Sequence, residues 1–286
     1  MFDNLKLLYK RGIYTRVSTL IFGCYSTLLT FFTRCVFCEK NGLGCFIEVL
    51  VVIIVFCFVQ TFRYFKSRNI LLVKENSSIQ IEVGDIFKQP KDVCIVIPFN
   101  EFFDTKVDDI IVSSNTLHGK FIEKFKADSI MDIIIKRLES VEHLSIDNNR
   151  ANDSNNKRYQ LGIIIKIDDF YKKSMDLNNV YLLTSFSKFD EDSRAYLHYK
   201  DYLHFLITFL DNIDKNHQGY TVAIPVFGGG MTRGLGDKQK CLETILLCWQ
   251  CVASQYKFKL KLVVAHKDVE NYNFAKIKCM FYDLLK

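Results

Sequence analysis

Hydrophobic and polar positions divide the chain into two unlike parts. Up to residue 62 the apolar residues come in two long runs, 17–37 and 43–62, each close to the ~20 residues that a helix needs to cross a bilayer. The second is the purer, being unbroken apolar sequence from 49 to 59. From residue 70 onward the pattern changes to short strand-like and helix-like segments in alternation, the signature of a layered α/β domain. Strands are predicted over 79–83, 93–98, 161–167, 180–184, 221–226 and 260–265, and helices over 129–138, 198–213, 237–255 and 269–284. The near-continuous apolar stretches 93–97 and 162–165 read as strands buried on both faces. The polar stretch 147–156 reads as an exposed loop or insertion. The pattern thus predicts a helical transmembrane hairpin with a basic linker over 1–68, then a cytoplasmic α/β domain over 69–286 with six strands sandwiched between helices.

The basic residues orient the hairpin. Lys6, Lys10, Arg11 and Arg16 precede the first run and Arg63, Lys66, Arg68 and Lys74 follow the second, while the connection holds only Arg34 and Lys40. Cytoplasmic flanks are enriched in Lys and Arg, so both termini are expected on the cytoplasmic side of the plasma membrane, with two passes between them. A cleaved signal peptide fits less well, because a second run follows at once and no convincing small-residue cleavage site precedes it. Within the first run Thr19, Gly23, Ser26, Thr30 and Thr33 recur at spacings of four and three, forming one small, partly polar stripe on a helix. That stripe suits close packing within one hairpin or contact with other subunits of a homo-oligomer. Glu48 needs a partner or the interface if it lies in hydrocarbon, and Arg34 is the nearest candidate.

Composition narrows the classes. Of 286 residues 49% are apolar and 24% charged, which excludes a disordered or fully polytopic chain. The net charge of +6 is modest, and much of the excess sits beside the apolar runs, which suits a membrane surface rather than nucleic acid. Ten scattered cysteines in a chain of this length point to a reducing compartment. Neither Cys35/Cys38 nor Cys248/Cys251 has the context of a zinc or thioredoxin-like pair, so no metal is expected.

The most informative segment runs from the strand at 221–226 through Phe227, Gly228, Gly229, Gly230, Met231, Thr232, Arg233, Gly234 and Gly236 to a helix. Glycines between a buried strand and a helix let backbone N–H groups approach phosphate, and Arg233 can add a fixed charge. A tight strand-to-helix turn is the plainer alternative. The loop lacks the lysine of a nucleoside-triphosphatase loop and the spacing of a dinucleotide fold. Gly84-Asp85-Ile86 and Pro98-Phe99-Asn100 follow two other strands, at the edge where α/β folds collect ligands. Asp85 can accept from an exocyclic amine and Asn100 can bond a ribose hydroxyl, although a turn and a helix cap would use the same residues.

Taken in chain order, Gly84-Asp85-Ile86, Ile97-Pro98-Phe99-Asn100 and Phe227 through Gly234 resemble the macro domain, the ADP-ribose-binding module, over about residue 79 to the C-terminus. The resemblance implies a three-layer α/β/α fold on a mixed six-stranded sheet. It also implies that Asp85 and Ile86 meet adenine, Asn100 the far ribose, and residues 228–234 the diphosphate. After Asn100 the family's glycine run is replaced by Glu101-Phe102-Phe103-Asp104, followed further on by Asn115-Thr116-Leu117-His118-Gly119. With two predicted spans in front, this version is similar to the membrane-anchored macro effectors of type II Thoeris antiphage systems. That resemblance implies a sensor with no catalytic residues and no cofactor. Its ligand would be an ADP-ribose derivative, histidine-ADP-ribose, made from NAD by a partner TIR enzyme, and binding would trigger membrane disruption and growth arrest. The competing class is a hydrolase of ADP-ribose conjugates using Asp104, Asp108 or His118 as acid or base. Tyr272 and Phe274 are the aromatic candidates for stacking on adenine.

Overall fold

The computed structural model describes residues 23, 25, 54–59, 61–62, 67–126, 129–150, 155–168, 179–190, 194–228 and 234–286. The chain forms two compact units, Leu71–Tyr272 with Lys286, and Met1–Ile70 with Asn273–Leu285.

The larger unit is built on one mixed sheet. Its strands in chain order are β1 (Ile70–Lys74), β2 (Ser77–Val83), β3 (Val93–Asn100), β6 (Ile164–Ile167), β7 (Tyr181–Phe189), β8 (Ala195–Tyr196), β9 (Thr221–Pro225) and β10 (Lys259–Val264). They lie in the order β1-β2-β10-β9-β3-β7-β6, with β8 added on β7. Neighbours from β2 to β7 are parallel, whereas β6 and β8 run antiparallel to β7. All six expected strands are present. The sheet has eight: β1, an apolar strand joined to β2 through a turn with Glu75 at φ 51°, and the two-residue β8 are not among those expected. A separate antiparallel pair, β4 (Ser145–Ile146) and β5 (Lys157–Arg158), lies off the sheet.

Among the described residues this unit also carries helices α1 (Leu117–Phe125), α2 (Ile130–Leu138), α3 (Tyr199–Asn216) and α4 (Lys238–Val252). Phe121, Ile130 and Ile134 pack with Ile95, Ile97, Phe99, Tyr181 and Leu183 in one core. Because strand side chains alternate between faces, Leu182 and Phe186 point the other way. There Phe186, Tyr202, Phe205, Phe209 and Phe227 form an aromatic cluster with centroids mostly 4.9–5.5 Å apart.

Three sequence expectations are corrected and one helix is added. The run 162–165 is not buried on both faces: β6 is an edge strand with Ile165 and Ile167 inward and Ile164 and Lys166 half-buried. The polar stretch 147–156 is not simply exposed, because the β4/β5 hairpin carries Arg150 into the domain. The segment 117–125 is helical although Gly119 interrupts its pattern; Thr116 caps it, its hydroxyl accepting from Gly119 N–H at 3.0 Å. The helix expected over 269–284 is broken, and only α5 (Phe274–Met280) is regular, because Asn273 turns its side chain to cap Lys276 N–H at 2.9 Å.

In the smaller unit α5 is tied to the linker by the buried Lys278, whose ammonium donates to the Ser67 carbonyl at 2.8 Å. Residues 54–59, 61 and 62 are helical, and Ile54, Val55, Phe56, Phe58, Val59 and Phe62 are exposed. Gly23 and Tyr25 are helical. Among the described residues no helix is long and apolar enough to cross a membrane. The expected spans 17–37 and 43–62 fall largely outside those residues, as do Thr19, Ser26, Thr30, Thr33, Arg34, Glu48 and the Cys35/Cys38 pair.

Candidate functional site

Parallel pairing brings the C-terminal ends of β2, β10, β9, β3 and β7 to one edge of the sheet. The register pairs Val83 with Val264, Val263 with Pro225, Ile95 with Ala223 and Asn100 with Ser187. Gly84-Asp85-Ile86 leaves β2, Phe227 and Gly228 leave β9, and Asn100 ends β3. From β2 to β3 there are three strand steps, about 14 Å at ~4.8 Å each. The three segments singled out in the sequence therefore share one edge, at a separation that an extended dinucleotide-like ligand can bridge.

Asp85 is exposed and caps a short 3-10 turn, Ile86–Lys88, by accepting from Phe87 N–H at 3.0 Å. The Ile86 side chain is buried in the core, so its backbone is what this turn presents. Asn100 is buried, and three hydrogen bonds hold its side chain. Its Oδ1 accepts from Phe102 N–H at 3.1 Å and Asp104 N–H at 3.2 Å, and its Nδ2 donates to Asp104 Oδ2 at 2.9 Å.

At the glycine loop only the flanks are described; Gly229, Gly230, Met231, Thr232 and Arg233 lie outside. Gly228 has φ 82°, and a Cβ there would meet Leu235 Cδ1 at 2.7 Å and Cys241 Sγ at 2.8 Å. Gly234 has φ 97°, and its Cβ would meet the Leu197 carbonyl oxygen at 2.6 Å. Both glycines are thus required by the turn itself, whatever ligand it holds. The buried Tyr202 hydroxyl pins the loop's start, 3.1 Å from the Phe227 carbonyl and 3.2 Å from that of Cys241. Its burial pushes the phenol pKa well up, so it stays a proton donor. The following helix α4 is already capped: Asp237 accepts from Lys240 N–H at 3.1 Å. Its carboxylate takes up part of the positive end of the helix that sequence reasoning had offered to phosphate.

The segment after Asn100 is a buried polar hub that the sequence did not reveal. Asp104 is 1% exposed, and its Oδ2 also accepts from Arg150 Nη2 at 2.8 Å. Burial raises the Asp104 pKa, offset only in part by Arg150 and Asn100. Glu101 is also buried and raised by burial, although it accepts from Phe189 N–H at 3.1 Å and faces Arg158 at 3.6 Å. The guanidinium carbons of Arg150 and Arg158 lie 3.7 and 5.2 Å from the Phe102 ring centroid. Asn155 donates to the Phe102 carbonyl at 2.7 Å, and Tyr159 N–H to that of Glu101 at 2.8 Å. The β4/β5 hairpin and its continuation therefore hold the 101–104 loop at four points.

The proposed acid–base residues are differently placed. His118 is buried with its ring 3.7 Å from that of Phe99. Its Nε2 lies 2.7 Å from the Asp104 carbonyl, an acceptor only, so Nε2 carries the proton. Burial drives its pKa down to about 3. The imidazole is neutral and its proton is spent holding the loop. Burial tends to raise Asp108, but the N–H groups of Ile111 and Ile110 outweigh it and the carboxyl falls below its ordinary range. Tyr272 and Phe274 are both buried. Cys248 and Cys251 are free thiols, and no group of metal-binding side chains occurs among the described residues.

The fold resembles a single-residue variant of the Oceanobacillus iheyensis macrodomain, at a TM-score of 0.50 and 12% identity over 75% of this chain and 94% of that one. A second variant of that macrodomain matches at a TM-score of 0.48, 13% identity and 76% and 98% coverage. In sequence the chain is 30% identical over 261 residues to a Thoeris protein ThsA of Bacillus amyloliquefaciens (strain Y2), spanning 88% of this chain and 83% of that protein. Residues 79–265 match the family model for the macro domain of Thoeris protein ThsA, which takes in β2, the Asn100 loop, the glycine loop and β10. The chain belongs to the Thoeris ThsA macro-domain family.

Proposed function

We propose that this protein is an antiphage-defence effector whose macro domain senses an ADP-ribose-derived signal, histidine-ADP-ribose produced by a partner TIR enzyme. Asp85 and the Ile86 backbone would take adenine, the loop 228–234 with Arg233 the diphosphate, and Asn100 the far ribose. The observation that carries this reading is the shared sheet edge, with the three segments spread over about 14 Å. Family membership supports it independently. Sensing is favoured over hydrolysis because the His118 proton is spent on the Asp104 carbonyl, and Asn100 and Arg150 share one oxygen of the buried Asp104 carboxylate.

For output, the spans 17–37 and 43–62 anchor the protein in the plasma membrane with both termini cytoplasmic, and ligand binding assembles or rearranges the hairpins so that the membrane is disrupted. The exposed apolar helical residues around Phe56 and Phe58 support this, since such a surface calls for lipid or another subunit. Calorimetry on the intact protein in detergent, with ADP-ribose, NAD and histidine-ADP-ribose, tests the reading. Histidine-ADP-ribose should bind and be recovered unchanged by mass spectrometry. Binding of none of the three would sink the sensor, and turnover lost in Asn100→Ala would make the protein a hydrolase.

A further inference from the structure

Arg150 is held the way a bound molecule would be held. Its guanidinium carbon lies 3.7 Å from the Phe102 centroid and 5.6 Å from that of Phe189, and Nη2 donates to the buried Asp104 carboxylate at 2.8 Å. An aromatic face beside a buried carboxylate is the chemistry that receives flat cations rich in N–H donors. Much of this box is positioned by other residues. Asn100 fixes both the Asp104 carboxylate and the Phe102 and Asp104 N–H groups, His118 holds the Asp104 carbonyl, and Asn155 holds that of Phe102.

The fit of the arginine is also incomplete. Among the described residues neither Asp104 Oδ1 nor Arg150 Nη1 has a hydrogen-bond partner, although both atoms are buried. A buried arginine and carboxylate placed only for stability would be expected to form two parallel bonds. Among the described residues this pair makes one, leaving a buried donor and a buried acceptor at the cost of their desolvation. The nearest other charges are accounted for: Glu101 faces Arg158, and Lys188 pairs with Asp201 at 3.0 Å.

We propose that Asp104, Phe102 and Phe189 form a receptor for a flat nitrogen cation of the guanidinium or imidazolium class, and that Arg150 occupies it when no ligand is bound. Asn100 donates to the same carboxylate oxygen that Arg150 uses, so the receptor adjoins the far-ribose position. A group attached to that ribose would displace Arg150 and release its hold, through the β4/β5 hairpin, on the 101–104 loop. The ligand's placement rests on the ADP-ribose reading above; the chemistry of the box does not.

The test uses the intact protein in two arms. In the first, Arg150→Ala is melted with methylguanidinium chloride or, as a non-planar control, methylammonium chloride at equal ionic strength. Methylguanidinium should raise the melting temperature of Arg150→Ala, not of wild type, and the gain should vanish on adding Asp104→Asn. In the second, calorimetry compares ADP-ribose with histidine-ADP-ribose. ADP-ribose should bind wild type and Arg150→Ala equally, whereas the conjugate should bind the variant roughly tenfold tighter, because one charge-assisted bond no longer has to be broken. Arg150→Met, which keeps the stem over Phe102, should tighten binding in the same way and serves if the alanine variant does not fold. No methylguanidinium rescue in a folded variant, or weaker conjugate binding, would overturn the proposal and make Arg150 a strut or a direct ligand contact. Wild type that fails to bind ADP-ribose and its conjugate would defeat the ADP-ribose reading, leaving the melting arm to decide the box.

Discussion

His118 should make the domain acid-sensitive in a way that can be calculated. In the folded chain its pKa lies at about 3, against 6.5 for the free side chain, because burial disfavours the imidazolium. Below pH 6.5 the unfolded chain therefore binds a proton that the folded chain refuses, so stability falls as the pH is lowered. The contribution is fully present above about pH 6.5, declines through the window down to pH 3, and is lost below it. At pH 5 the loss comes to about 2 kcal/mol relative to pH 8. That corresponds to a fall of roughly 4–8 °C in melting temperature for a domain of this size. Glu101 and Asp104, both raised by burial, act with the opposite sign, since the folded state holds their protons more tightly. The assay must therefore be a comparison. His118→Gln lacks the titration but can still donate to the Asp104 carbonyl, so calorimetric melts of both proteins at pH 8 and pH 5 isolate the imidazole. Wild type should lose about 2 kcal/mol more than the variant between these pH values. Parallel losses would refute the reasoning and show that the folded ring titrates near its ordinary pKa.

Gly234→Ala should cost about 2 kcal/mol or more, because φ 97° is strained for any Cβ and the methyl meets the Leu197 carbonyl oxygen; an unchanged urea midpoint would refute this. Asp237→Asn keeps a cap for Lys240 N–H while removing a negative charge at the start of α4, so ADP-ribose should bind about twofold to fivefold tighter at low salt, a gain that 0.5 M salt erases. Equal affinity in low salt would place the diphosphate away from that helix end. Gly23 is helical and exposed, with nothing within 4 Å of a Cβ built there, so Gly23→Leu should leave ligand binding intact while blocking ligand-induced cross-linked oligomers and dye leakage. Wild-type oligomers and leakage in that variant would remove the stripe of Thr19, Ser26, Thr30 and Thr33 from the working interface.

The elements legible in the sequence are those whose determinants are local. An unbroken apolar stretch of strand length, such as 93–97, suits a strand buried on both faces, and it forms most of β3. A glycine run between a strand and a helix marks a tight turn whatever surrounds it, and the positive φ at Gly228 and Gly234 shows that requirement directly. Chain order alone, with parallel strands, places Asp85, Asn100 and Gly228 on one edge. Tertiary structure decided what is pairwise and distant. Nothing local says that Arg150, in a stretch rich in Asn and Asp, joins Asp104, 46 residues away. The same hydrophobic run at 162–165 could be a central or an edge strand, and only the pairing of β6 with β7 alone settled it. His118 and Asp104 carry the residue types of acid–base chemistry, yet desolvation and a carbonyl acceptor turn them into supports for a loop. Sequence records which groups a chain has; burial and the nearest partner determine their protonation and what they remain able to do.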